Sequence, residues 1–398
     1  MLVSHLEAVW VVCVFVHHVI HRRFPDAPAR RLLRPAGYRQ MKTQPVCILI
    51  SALLFFAFAD SASSIPPAAK VTVVVGSLLR AEGGSKELKS PLDFPFGVDF
   101  DNEGNMFIVE MSGARVHRLD KQDRLTVVAG TGRNGYDGDG GPATRATFND
   151  IHNLAIGGPD NDIFISDSSN HCIRRIDQET GRIETLCGTG KAGFDAGFDG
   201  IGGPLESAKF NEVICITFNK SAETLLLADI NNRRIREINF KANTIHTLAG
   251  NGQQGVPVDG SIANKSPLVD PRGVAADSKG NVYVLERAGH SLRVIKPSGK
   301  IYTVAGNGKQ GFHDGPALHA QFDGPKHLCV DDQDNVYIAD DVNHAIRKFD
   351  PSSKTVTTVL GHGQGQPAVT LKNPHGVCFH DGKLYVVDSG NNRILSVE

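Results

Sequence analysis

The chain has 398 residues, with 42 Lys and Arg against 43 Asp and Glu, and a formal net charge of −1. This length allows two average domains or one large repeat architecture, and the balanced charge gives no sign of the strongly basic surface that general nucleic-acid binding requires. The one compositional excess is glycine, whose 42 residues are spread along the chain. Such a distribution indicates many short turns rather than a flexible linker.

An apolar segment near the start predicts export. Residues 46–59 (VCILISALLFFAFA) form a 14-residue run, which is short for a membrane span but fits the core of a signal peptide. Lys42 supplies the positive flank, and residues 57–59 (Ala-Phe-Ala) form a small-x-small cleavage site. We therefore expect a periplasmic or extracellular protein. An uncleaved leader would instead tether the protein to a membrane.

The predicted organisation has four parts: an over-extended start or leader at 1–40, a signal peptide at 41–59, a linker at 60–69 and a folded domain at 70–398. Residues 1–59 hold seven Lys and Arg and two Asp and Glu, so the remainder carries 35 basic and 41 acidic residues, a formal charge of −6. This acidic balance argues against a nucleic-acid partner. No stable membrane span is expected after cleavage.

Cysteine usage excludes a disulfide scaffold. Five cysteines follow the signal peptide, an odd number, and none forms a CxxC pair: Cys172, Cys187, Cys215, Cys329 and Cys378. We expect Cys329 and Cys378, at equivalent places in two adjacent repeats, to be buried apolar residues rather than a redox pair.

From about residue 91 the chain repeats one unit. A strand ending in glycine recurs with spacings of 58, 62, 56 and 55 residues, at 124–130, 182–188, 244–250, 300–306 and 355–361. Before each copy lies a segment of alternating apolar and polar residues such as IRRID, and the chain has six segments of this kind. Before each of these lies an apolar segment that ends in an acidic residue. Alternation of this kind predicts half-buried strands, and four strands per unit in a periodic array predict propeller blades.

The two ends of the repeat region predict how the ring closes. The sixth unit stops at Glu398, after its third strand. The missing fourth strand is present at 70–76 (KVTVVVG), which matches KIYTVAG at 300–306. Pairing these two ends removes the open edge, so the sequence predicts an all-β, six-bladed propeller closed by its own first strand.

A pattern of polar residues recurs in the turn between the second and third strands. Asp167, Asn170 and Arg174 have counterparts in the third and fifth units. Asp388 and Asn391 repeat the pattern in the sixth unit, where Leu395 replaces the arginine. Asp and Asn order tight turns through side-chain to backbone hydrogen bonds, and a residue present in most blades cannot define one site. We therefore predict a structural role.

These phrases, in particular DSSNHCIRRID, DSGNNRI and AGTGRNGYDGDGGPATRATF, resemble NHL repeats of the bacterial and plant type. The resemblance extends from about Lys70 to Glu398. It implies a six-bladed β-propeller and, in most members of the family, a binding surface rather than a reaction. We therefore expect a binding or scaffold module for a protein or small ligand, and not an enzyme.

The loop entering each innermost strand is the predicted ligand face. Alignment of the six units on the phrase Pro-x-Gly-Val gives a variable position occupied by Phe96, Asn153, Ile214, Arg272, Lys326 and His375. The ligand-binding candidates are Asn153, Arg272, Lys326 and His375, whose cations and imidazole suit an anionic group. The alternative is that these are solvated loop residues without a common target.

An enzymatic alternative uses a metal in the channel. His152, His327 and His375 are the candidate ligands for zinc in a lyase or hydrolase similar to the peptidyl-amidoglycolate lyase. Calcium is the second possible cofactor, through Asp137, Asp139 and Asp199 in the glycine-rich connectors, although turn formation explains those residues better. A GxGxxG match at 130–135 lacks a following helix, which excludes a dinucleotide site. Under the leading interpretation no cofactor is expected.

Overall fold

A computed structural model describes residues 70–76, 91–195, 202–221, 223–362 and 368–398. The predicted leader, signal peptide and linker lie outside the described residues. Within the described ranges the chain is built from β-strands, turns and single 3-10 turns, without an α-helix. No helix in those ranges has the length and apolarity to cross a membrane.

The strands form six antiparallel sheets, one for each predicted repeat, which we call blades 1 to 6 in chain order. The innermost strands are β2 (Pro95–Phe100), β6 (Ile151–Gly157), β11 (Val213–Phe218), β15 (Pro271–Ala276), β20 (Pro325–Val330) and β24 (Pro374–His380). The second strands are β3 (Met106–Glu110), β7 (Asp162–Asp167), β12 (Thr224–Asp229), β16 (Val282–Glu286), β21 (Val336–Asp340) and β25 (Lys383–Asp388).

The third strands are β4 (Arg115–Leu119), β8 (Cys172–Ile176), β13 (Arg234–Asn239), β17 (Ser291–Ile295), β22 (Ala345–Asp350) and β26 (Arg393–Val397). The fourth are β5 (Leu125–Ala129), β9 (Ile183–Gly188), β14 (Thr244–Ala249), β18 (Ile301–Ala305), β23 (Thr355–Leu360) and, in blade 6, β1 (Val71–Val75). Two-residue strands β10 (Gly203–Pro204) and β19 (Gly315–Pro316) extend blades 3 and 5. The 3-10 turns are Ala143–Arg145, Ser168–Asn170, Leu205–Ser207, Ala263–Lys265, Ala317–His319 and Ser389–Asn391.

The blades close into a ring. Each innermost strand contacts the innermost strand of the next blade, and β24 contacts β2. Strand β1 pairs antiparallel with β26 with Val71 opposite Val397, and the backbone groups of Lys70 and Glu398 exchange two hydrogen bonds of 3.0 and 2.9 Å. The predicted six-bladed propeller and its closing strand are confirmed.

Apolar side chains fill the space between blades. Three of the apolar clusters contain a completely buried phenylalanine from the segment after a connector: Phe148, Phe210 and Phe322. Each of these phenylalanines packs against apolar residues of two adjacent blades. Because no single sheet can cover both of its faces, this packing holds the ring together.

Each blade also buries one acid at the end of its second strand. One carboxylate oxygen of that acid accepts a backbone N–H from the loop entering the blade: the donors are Asp93, Asn149, Asn211, Val269, Asp323 and Lys372. In blades 2, 3, 5 and 6 the following asparagine joins the other oxygen to a carbonyl of the preceding connector; Asn170, for example, donates to Asp167 and to Gly135 O. The acid therefore fixes the loops that lead to the channel, which agrees with the predicted structural role.

A base on the third strand accompanies each acid, although its position varies. Arg347 Nη1 lies 2.7 Å from Asp340, and Arg174 Nη1 lies 3.2 Å from Asp167. In blade 6, where the sequence has Leu395 in place of the arginine, Arg393 donates from Nε to Asp388 at 2.7 Å. The arginine is therefore moved by two residues rather than lost.

Candidate functional site

The register of the innermost strands defines two layers of side chains around the channel. The first residue of each strand faces the buried acid, as Pro95 faces Glu110 and Ile151 faces Asp167. The next residues form a layer that we call the mouth ring: Phe96, His152, Ile214, Arg272, Lys326 and His375. The residues after those form the second layer: Gly97, Asn153, Cys215, Gly273, His327 and Gly376.

This register corrects one sequence alignment. Asn153 was expected at the variable position of blade 2, but Ile151 takes the place of the proline and His152 therefore occupies the mouth ring. Asn153 lies one layer deeper, at the position of a glycine. The sequence alignment failed here because blade 2 lacks both the proline and the glycine of the repeated phrase.

Arg272 is a buried cation at the mouth. Its side chain is only 8% exposed, and it makes no ion pair with a described residue. Its Nη2 lies 3.3 Å from Nε2 of His375, while its Nε is buried without a hydrogen-bond partner. Burial lowers the pKa of the guanidinium to about 10, so Arg272 remains charged at neutral pH. An uncompensated buried charge is costly and attracts an anion.

Two imidazoles stand beside this guanidinium. The ring of His375 stacks on Phe96 with 3.7 Å between centroids, and its Nδ1 lies 3.3 Å from the carbonyl oxygen of Phe96. A neutral ring with its proton on Nδ1 satisfies both contacts, since Nε2 then accepts from Arg272. Burial lowers the pKa of His375 well below its usual value and that of His152 to about 4.

The other cations of the mouth already have partners. Lys326 Nζ lies 3.2 Å from Asp341, and Arg287 donates from Nε to Asp270 at 2.8 Å. Burial lowers the pKa of Lys326. Of the basic side chains at the mouth of the described structure, Arg272 is therefore the one without a carboxylate at ion-pair distance, and Asp270 and Asp341 act on its charge only from farther away.

A hydrogen bond crosses the channel beneath the mouth ring. Asn153 Nδ2 in blade 2 lies 3.2 Å from Nε2 of His327 in blade 5, on the opposite side of the ring. Asn153 Oδ1 also accepts the backbone N–H of Ile216 at 3.0 Å. Burial lowers the pKa of His327 to about 4. Sequence reasoning missed this contact, although both residues replace a repeated glycine.

A cavity of about 150 Å³ lies on the other side of this bond. Asp99 lines it and accepts backbone N–H groups of Ile156 and Phe100, and burial raises the pKa of its carboxyl to about 6. Cys329 and Cys378 are half-buried in the same wall, and burial raises the pKa of both thiols, so neither is an activated nucleophile.

The three histidines predicted as zinc ligands are not brought to one point. The ring centroids of His152 and His375 are 6.1 Å apart, and His152 Nδ1 lies 2.9 Å from the carbonyl oxygen of Asp150. His327 lies in the second layer. In the part of the chain that the structure describes, no three His, Cys, Asp or Glu side chains are grouped for a metal ion. The metal site stays a prediction without support from this geometry.

Comparison with known proteins agrees with the repeat. Residues 148–176 and 371–395 match the NHL repeat. The chain is 26% identical over 328 residues to Protein SUPPRESSOR OF QUENCHING 1, chloroplastic, of Arabidopsis thaliana, covering 78% of this chain and 30% of that protein. It is 25% identical over 348 residues to NHL repeat-containing protein 2 of Bos taurus, covering 77% and 46%. The chain thus spans less than half the length of these relatives.

Solved structures share the architecture at low identity. An auxiliary nutrient binding protein from Bacteroides thetaiotaomicron superimposes with a TM-score of 0.59 and 14% identity, covering 83% of this chain and 76% of that one. A structural genomics protein of unknown function from the same organism has a TM-score of 0.58 and 16% identity, with the same coverage. These likenesses concern the fold alone. Together with the repeat match, they lead to one conclusion: the chain is a β-propeller that carries NHL repeats.

Proposed function

We propose that this propeller is a binding module that takes the anionic group of a protein or small-molecule ligand at the mouth ring. The observation that carries the proposal is Arg272, a buried guanidinium that makes no ion pair within the described structure. One of the fold neighbours is named a binding protein, which agrees with a binding role.

The energetic argument concerns the charge of Arg272. A buried charge without a partner destabilises the free protein, and an anion that pairs with it recovers part of that cost. The neighbouring groups favour the same event: His152 and His375 are neutral at pH 7 because burial lowers their pKa values, so they neither repel a cationic neighbour strongly nor compete for an anion. The attraction for an anion at the mouth therefore comes mainly from Arg272.

Isothermal titration calorimetry with acetate, benzoate and inorganic phosphate tests the proposal. We expect at least one of these anions to bind the wild-type protein, and Arg272→Gln to abolish that binding while the fold is retained. Arg145→Gln, which changes an exposed arginine outside the channel, is the matched control and should bind as the wild type does. Absence of binding by every anion, or equal binding to the Arg272 variant, would contradict the proposal.

We further propose that the protein is exported. Support comes from the apolar run at 46–59 with its positive flank and small-x-small site. Expression in the native host followed by sequencing of the mature amino terminus tests this. A mature chain that begins near residue 60 is expected, and a cell-associated chain that retains residues 41–59 would contradict it.

A further inference from the structure

We infer that the ligand group recognised at the mouth is a monoanionic carboxylate rather than a phosphate dianion. This inference rests on the proposed function and adds the chemical class of the ligand. Three features support it: the edge of Arg272 that is left for a ligand, the number of charges around it, and the floor beneath it.

The free edge of Arg272 has the shape that a carboxylate needs. In a guanidinium the Nε–H and one Nη2–H point along the same side, and these two donors match the two oxygens of a carboxylate. In Arg272, Nε is buried and has no hydrogen-bond partner among the described residues, and Nη2 has a long contact of 3.3 Å to a neutral imidazole nitrogen of His375. A carboxylate that displaces His375 from this edge replaces one weak hydrogen bond with two charge-assisted ones.

The charge count at the mouth favours one negative charge. Around Arg272, Lys326 is paired with Asp341 and Arg287 with Asp270, which leaves a single positive charge uncompensated. A dianion would therefore bring a second negative charge towards Asp270 and Asp341, with no further unpaired cation to compensate it.

The floor limits how deep a ligand reaches. The hydrogen bond between Asn153 and His327 crosses the channel one layer below Arg272. Asn153 also accepts the backbone N–H of Ile216, so the crossing side chains are fixed to the wall of the channel. A ligand therefore places its charged group at the mouth and keeps the rest of its structure outside the channel.

Matched probes that differ only in the charged group test the inference. We would titrate the wild-type protein at pH 8 with benzoate, phenylphosphate and the neutral benzamide, and repeat the comparison with acetate and inorganic phosphate. Benzoate is expected to bind at least about tenfold more tightly than phenylphosphate, and benzamide should not bind. At pH 5 phenylphosphate loses most of its second charge, since that group titrates near pH 6, and the preference should narrow.

Variants separate the two proposals. Arg272→Lys keeps the charge but removes the two-donor edge, so it should lose most of the preference for benzoate and retain weak anion binding. If phenylphosphate or phosphate binds more tightly than the carboxylates and does so through Arg272, the inference is wrong but the anion-binding function stands. If no anion binds, the proposed function itself fails. The comparison among probes uses the wild-type protein, so it holds even if an Arg272 variant does not fold.

Discussion

Asn153 and His327, 174 positions apart in the chain, hydrogen-bond to each other across the channel at 3.2 Å. They belong to blades 2 and 5, which face each other in a six-membered ring, and each replaces a glycine of the repeated phrase. The remaining glycines of this layer leave room for the contact: a Cβ on Gly97 would lie 2.9 Å from Asn153 Nδ2. The contact joins opposite sides of the ring and forms the floor of the mouth.

Replacing Asn153 should destabilise the ring. Asn153→Ala leaves the buried N–H of Ile216 without its acceptor and removes the contact with His327 Nε2, so we expect a loss of about 1–3 kcal/mol in the free energy of unfolding. Urea denaturation followed by circular dichroism measures it. Asn231→Ala, in an exposed loop, is the control and should change stability by less than about 0.5 kcal/mol. Equal stability of the two variants would show that the crossing bond contributes nothing.

The stability of the fold should depend on pH through His327. Its folded pKa of about 4 lies below the usual 6.5, so between these values the unfolded chain binds a proton that the folded protein does not. Stability is therefore unaffected above pH 6.5, falls as pH decreases, and levels off below pH 4, with a total loss on the order of 3 kcal/mol.

Comparison with His327→Gln isolates this effect from that of other groups. Buried acids such as Asp229 and Asp340, whose folded pKa values are raised to about 6, act in the opposite direction. We expect the difference in unfolding free energy between wild type and His327→Gln to shrink as pH falls from 7 to 4.5. His319→Gln, at an exposed histidine, is the matched control for the loss of an imidazole. A constant difference across this range would contradict the assignment.

Removing one partner of the buried pair in blade 5 should be severe. Arg347 is fully buried, contacts Asp340 at 2.7 Å and donates to the carbonyl oxygens of Gln321 and His313. Arg347→Met leaves Asp340 as an unpaired buried acid, at an expected loss of about 3–5 kcal/mol. The double variant with Asp340→Asn should lose less than the sum of the single changes, measured by a double-mutant cycle in urea. Strict additivity would mean that the two side chains are not coupled; Arg133→Met is the exposed control.

Detachment of the closing strand should open the ring. Val75 in β1 is 6% exposed and packs in the cluster between blades 6 and 1, whereas Thr72 in the same strand is exposed. Val75→Asp buries an unpaired charge and should cost several kcal/mol, and the freed edge of β26 should promote self-association. Thr72→Asp should leave both properties nearly unchanged. Denaturation curves and light scattering distinguish the variants, and similar behaviour of the two would argue against closure by β1.

The sequence by itself determined the repeat, the number of blades and the closing strand, because strand alternation and glycine-ended turns are local properties repeated at a regular spacing. The tertiary structure decided the rest. The shift in blade 2 appeared only when Ile151 was paired with Asp167, since a one-residue change of register moves a side chain to a different layer. In blade 6, only the structure showed that Arg393 takes the place of the missing arginine beside Asp388. The contact of Asn153 with His327 forms because closure of the ring brings blades 2 and 5 face to face. Arg272 was a candidate from its position alone; its burial and its unpaired charge come from the ring around it.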